Sequence, residues 1–220
     1  MRRMGMLVVL TLALALALIT ACGGGDGGEE AQVRSIPKPG KALTAGQYTS
    51  EEFKPALSFK VGNEWDAVIP ETQDALVIGR MVKPMSLGFH NVGQVYDPSN
   101  TDARVAAPED MAAWLQDHPL LDTEKPGQVS VGGVAGQQFD AIASKPRPNP
   151  DCPSAACVNL FGLTGGEAFW LDKIEKYRFI VLQNVKGEVV VITFGGPAVE
   201  FEEFLPEAQE VLDTVEWKGA

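Results

Sequence analysis

Basic side chains, histidine and cysteine are all scarce in this 220-residue chain, and each shortage closes off a class of function. Eighteen Lys and Arg stand against 29 Asp and Glu, a net charge of −11. A surface so charged repels phosphate backbones and anionic headgroups, so no nucleic-acid partner is expected. Two histidines, His90 and His118, leave little for base-driven hydrolysis or a histidine-rich metal centre. His90 ends an apolar run and reads as a half-buried, satisfied side chain; His118 precedes Pro119 and reads as a solvated helix end. No Gly-x-Ser-x-Gly elbow is present: Ser58 and Ser130 fall in strand-like segments, and Ser86 precedes Leu87-Gly88 without the first glycine. The glycine cluster at 132–136 has neither the Gly-Lys-Ser/Thr ending of a phosphate loop nor a following helix, so it reads as a turn. Asp97-Pro98-Ser99-Asn100-Thr101-Asp102 offers oxygen donors without the glycine turn of a calcium loop and reads as an Asx turn. No catalytic residue, metal or cofactor is expected.

Long apolar runs are missing too, save one. Positions 6–19 form a 14-residue apolar stretch behind Arg2-Arg3. That is short of the roughly 20 residues a membrane-spanning helix needs, and it matches the apolar core of a secretory signal. Directly after it, Ile19-Thr20-Ala21-Cys22 resembles the lipobox of bacterial lipoproteins. The resemblance implies removal of residues 1–21, a diacylglyceryl group on the Cys22 thiol, and an extracytoplasmic protein lipid-anchored to the bacterial cell membrane. Two acyl chains anchor stably where one binds only marginally. Loss of Arg2 and Arg3 with the leader takes the net charge from −11 to −13.

Two cysteines then remain, Cys152 and Cys157. In an oxidising compartment an even remainder reads as a disulfide, here closing a small loop worth about 2 kcal/mol. A zinc site would need two more ligands at suitable spacing, and the four intervening residues differ from the Cys-x-x-Cys redox pattern.

Residues 22–46 are Gly-rich, then polar, then punctuated by Pro37 and Pro39, and read as a flexible tether carrying the lipidated Cys22. One globular domain is expected over 47–218. Strand patterns occur at 57–61, 75–81, 85–90, 128–131, 137–143, 158–163, 168–171, 177–184 and 188–194, the last two as a hairpin. A helix is expected over 108–119, begun by Pro108 and stopped by Pro119, and an amphipathic one over 199–215, with Pro206 kinking or restarting it. A short last strand is expected near Trp217. The sum is an α+β domain with a central antiparallel sheet of about seven strands and two helices.

The opening Leu57-Ser58-Phe59-Lys60-Val61 with Trp65 beyond, and the closing helix and strand from Phe201 to Trp217, resemble the two ends of the PsbP-like fold. That family includes photosystem extrinsic subunits and mycobacterial lipoproteins of the LpqN type. The resemblance implies an α/β/α sandwich and a binding or assembly protein without an active site, and it carries over no functional residue. The expectation is a non-enzymatic extracytoplasmic lipoprotein that binds a small ligand or supports an envelope complex through a protein partner. The rivals are an extracellular or cell-wall hydrolase, marked by two ionised groups in a cleft near His90, and a carrier of apolar cargo, marked by a large internal cavity.

Overall fold

The computed structural model describes residues 33–38, 41–69, 71–80, 83–163 and 168–219. The leader, Cys22 and residues 23–32, 39 and 40 of the expected tether lie outside the described residues. The first strands are β1 (Arg34–Ser35), β2 (Gly46–Thr49), β3 (Leu57–Val61), β4 (Ala67–Ile69), β5 (Ala75–Gly79), β6 (Ser86–Asn91), β7 (Gln94–Asp97) and β8 (Asn100–Ala106). After helix α1 (Met111–Gln116) come β9 (Leu121–Thr123), β10 (Gly127–Val131), β11 (Val134–Ala143), β12 (Arg147–Pro148), β13 (Ala156–Gly162), β14 (Ala168–Asp172), β15 (Glu175–Val185) and β16 (Glu188–Pro197). Helix α2 (Phe201–Leu212) and β17 (Glu216–Trp217) close the chain.

The central sheet has eight strands in the order β10-β11-β15-β16-β6-β5-β4, with β9 also pairing β11. All its pairings are antiparallel. Its middle strands are rich in β-branched and aromatic residues because both faces are covered. Successive side chains point to opposite sides, so Val190, Ile192 and Phe194 enter one core while Val191 enters the other. On β15, Ile180 and Leu182 face the first core and Phe179 and Val181 the second. Burying each such side chain stabilises the fold by roughly 1.5–3 kcal/mol.

The first face is covered by α2 and by a small sheet ordered β1-β2-β3-β17. Phe204, Ala208, Val211 and Leu212 recur at helical spacing and are buried there, with Trp65 against Phe204 at 5.5 Å between ring centroids. The second face is covered by α1, through Met111, Ala112 and Leu115, and by an outer sheet ordered β12-β13-β7-β8, in which β14 also pairs β13. The domain is therefore mainly β. The expected α/β/α sandwich is corrected: a β-sheet joins the helix on each face, because one turn and a half of α1 and the 12 residues of α2 cover too little of an eight-stranded sheet.

Several local expectations shift. Helix α1 starts after Asp110, whose Oδ1 accepts the Ala113 N–H at 2.9 Å, and not at Pro108. Pro206 stays inside α2 on its exposed side. The 132–136 connection contracts to Gly132 and Gly133, with φ of +57° and +78°, and 134–136 belong to β11. These two positive φ values make the two-residue hairpin turn that suits twisted strands. Ordered packing also begins before Gln47. Arg34–Ser35 pairs in parallel with β2, the Arg34 guanidinium lies 4.5 Å from the Tyr48 ring centroid, and Leu43 is buried in the first core.

Candidate ligand-binding cleft

The outer sheet covers only part of the second face. Where it lifts from β5, β6, β15 and β16 it leaves a partly open cleft of about 590 Å³. Ala75, Val77, His90, Thr193 and Tyr177 come from the central sheet, and Tyr96, Asn159, Phe169 and Trp170 from the outer one. Two glycines shape the central-sheet side. Gly88 stands between Val77 and Thr193 in register, and a Cβ there would sit 2.4 Å from His90 Nε2. Gly195 is paired with Tyr177, and a Cβ there would sit 2.8 Å from Tyr177 Cγ. Each bare Cα lets an aromatic ring lie close over the backbone, a role that glycine can serve within strands.

Phe169 links the two sheets. Its ring stacks on Phe161 at 4.7 Å and 6°, meets His90 at 5.4 Å, and presents an edge contact to Tyr177 at 5.4 Å. Such contacts add specificity of geometry to plain burial. Phe169 and Trp170 remain half-exposed, so they offer apolar ring surface to the open space. Polar groups sit among them: Thr72, Asn149, Asp151, Asn159 and Glu175.

The charge states are set mainly by burial. His90 is 1% exposed, and removal from water lowers its pKa from 6.5 to about 3, so the ring is neutral. Its Nε2 lies 3.0 Å from Thr193 Oγ1, while Nδ1 has no partner among the described residues. Burial, reinforced by the Glu175 charge and opposed by a hydrogen bond with Ser86, pushes the Tyr177 hydroxyl up, so it stays protonated. Glu175 is also raised by burial; the Asp172 N–H donated to its Oε2 at 3.0 Å opposes this, and the Asp172 carboxylate adds to it. A catalytic triad is not assembled here. No carboxylate orients His90 through Nδ1, and its hydroxyl neighbour Thr193 is itself 1% exposed.

The sequence-predicted residues fall in and around this cleft unevenly. His90 lies in it, more deeply buried than expected and with one nitrogen unsatisfied. Cys152 and Cys157 are joined, with Cα atoms 6.2 Å apart. Their loop is tied to β14 by Ser154, whose N–H donates to Asp172 Oδ2 at 2.9 Å and whose hydroxyl donates to Oδ1. Asn149 and Asp151, just before Cys152, line the cleft. His118 corrects the expectation of a solvated residue: it is 3% exposed against Trp114 at 4.9 Å, and its pKa falls to about 4 through burial. Asp97 Oδ1 accepts the Ser99 N–H at 2.8 Å and its hydroxyl at 2.7 Å, so that loop spends a carboxylate oxygen on its own turn. Among the described residues no group of three or more His, Cys, Asp or Glu is placed to hold a metal, and no helix is long and apolar enough to cross a membrane.

Tyr96, Asn149, Asn159, Phe169, Trp170, Glu175 and Tyr177 carry no motif and were invisible to pattern reading. No protein family and no curated protein matches the sequence. Among solved structures the chain is similar to the solution structure of cyanobacterial PsbP (CyanoP) from Synechocystis sp. PCC 6803. The identity is 8% and the TM-score 0.39, over 83% of this chain and 98% of that one.

Proposed function

We propose that the protein is a non-enzymatic binding domain of the cell envelope, anchored through lipid on Cys22, that takes a small molecule with a flat or apolar body into the cleft between its central and outer sheets. One observation carries the reading: about 590 Å³ of cleft, within the usual range for small-ligand sites, walled by half-exposed Phe169 and Trp170 and lined at His90 and Tyr177 by rings that are uncharged at neutral pH. The polar groups around it fix orientation; they also distinguish it from the sealed apolar cavity of a cargo carrier.

The test uses the neutral fluorophore N-phenyl-1-naphthylamine with the purified full-length chain labelled with nitrogen-15. Saturable binding that shifts the backbone resonances of Phe169, Trp170 and Thr193 is expected. In Val77→Phe, whose new ring fills the cleft, binding falls away. No binding, or shifts confined to residues elsewhere, would overturn the reading.

A carboxylate hydrolase is the second reading, favoured by Glu175, a carboxyl raised by burial in the same cleft as Asp151. Against it, Glu175 Oε2 already accepts the Asp172 N–H. Turnover of a glycan or peptide that is lost in Glu175→Gln would establish it.

A further inference from the structure

The cleft continues into a second concavity of about 450 Å³, and Tyr96, Asn149, Asp151 and Asn159 line both. What sets the second apart is two guanidinium groups, Arg104 and Arg147, in a chain whose net charge is −11. They come from opposite edges of the outer sheet, β8 and β12, and both line the concavity. Arg104 is positioned by Tyr96: its Nε and Nη2 donate to the phenolic oxygen at 2.9 and 2.6 Å, and Gly162 leaves room beside Nη1. Arg147 is exposed and donates one Nη2–H to the Pro98 carbonyl at 3.1 Å. A guanidinium carries five N–H donors, and among the described residues no acidic side chain forms an ion pair with Arg147.

Resting on the cleft reading, we propose that this concavity holds the anionic group of the ligand. The ligand is then an amphipathic small molecule: its flat or apolar body lies against Phe169 and Trp170, and one oxyanion, a carboxylate, sulfonate, sulfate or phosphate, is held between Arg147 and Arg104. Guanidinium suits this task because its planar fork matches an oxyanion with paired hydrogen bonds. Asp151 also lines the concavity, and its exposed carboxylate opposes an anion. That carboxylate is screened by solvent, which weakens its repulsion. The long-range field of an acidic chain repels anions, so recognition depends on these two contacts at short range.

The experiment compares two probes with the same ring system, N-phenyl-1-naphthylamine and its sulfonated relative 8-anilinonaphthalene-1-sulfonate, on the purified full-length chain. The sulfonate is expected to bind about ten-fold more tightly than the neutral probe, an advantage that shrinks as sodium chloride is raised. In Arg147→Gln the ratio of the two affinities falls towards one, whereas Lys145→Gln, which removes a nearby exposed charge outside the concavity, keeps the wild-type ratio. Equal affinities in the unaltered chain, or a ratio unmoved by Arg147→Gln, would overturn the anionic subsite and leave the cleft reading standing. Failure of both probes to bind would overturn both.

Discussion

His90 Nε2 lies 3.0 Å from Thr193 Oγ1, and it reaches that oxygen by crossing the bare Cα of Gly88. The contact exists only because position 88 has no side chain. Gly88→Ala places a methyl 2.4 Å from the ring nitrogen and 3.1 Å from Thr193 Oγ1, with backbone and buried rings limiting escape. Overpacking of this kind costs about 1–3 kcal/mol. A lower urea midpoint at unchanged m-value is expected. A midpoint within error of wild type would show that the ring moves aside freely.

Acid should weaken the fold before its carboxylates titrate. In the unfolded chain both histidines bind a proton near pH 6.5, while in the fold they resist protonation to about 3 for His90 and 4 for His118. Across that window the unfolded state holds more protons, so stability is fully present above about pH 7 and declines as pH falls towards 4. Asp172, whose lowered pKa reflects hydrogen bonds from Ser154 and Ile174 outweighing burial, adds a further loss at lower pH. Glu175, raised by burial, acts in the opposite sense near its own range. Urea midpoints at pH 7.5, 6 and 5 should fall in order, and His90→Gln should flatten the decline. Equal midpoints across the series would sink the account.

Reduction should reach the cleft. The Cys152–Cys157 bond closes a short loop, so its removal costs about 2 kcal/mol by chain entropy. Asn149 and Asp151, which line the cleft, lie directly before that loop, and the Cys152 N–H donates to the Asn149 carbonyl at 3.2 Å. The double variant Cys152→Ser, Cys157→Ser should stay folded, melt a few degrees lower, and bind the neutral naphthylamine probe more weakly. Unchanged melting and unchanged affinity together would mean that the loop is held by Ser154 and Asp172 alone.

Export and anchoring make a separate prediction. Cys22→Ser removes the thiol that the lipobox resemblance marks for acylation, so the chain should appear in the soluble fraction or retain its leader. Fractionation with mass measurement of the amino terminus decides the matter. Undiminished membrane retention of the serine variant would falsify the lipid assignment.

Much of the fold could be read along the chain because its central strands are unusually plain. The segments 177–184 and 188–194 are dense in β-branched and aromatic residues and became β15 and β16, joined by a two-residue turn at Lys186-Gly187. The closing helix was equally legible, because Phe204, Ala208, Val211 and Leu212 keep helical spacing. Strands β7 and β8 were missed. Their residues include Gln94, Asp97, Asn100 and Arg104, polar side chains that mask the alternation. Strand β2 was missed as well, since one buried tyrosine among small and polar neighbours leaves little periodic signal. The cleft was the least legible of all. It arises where two sheets part, so Phe169, Glu175 and Tyr96 acquire a shared role only through packing between distant segments.

The small sheet unites the two ends of the domain, since β1 and β2 are joined through β3 to β17. Trp217 completes it, donating its indole N–H to the Val131 carbonyl at 3.0 Å and meeting Phe89 edge-on at 6.2 Å. A chain emerging amino-terminus first cannot close this layer until its final strand has arrived. This layer must then wait for the last strand, and during that interval the apolar underside of β3 stays uncovered, a period in which contacts with other chains would matter most.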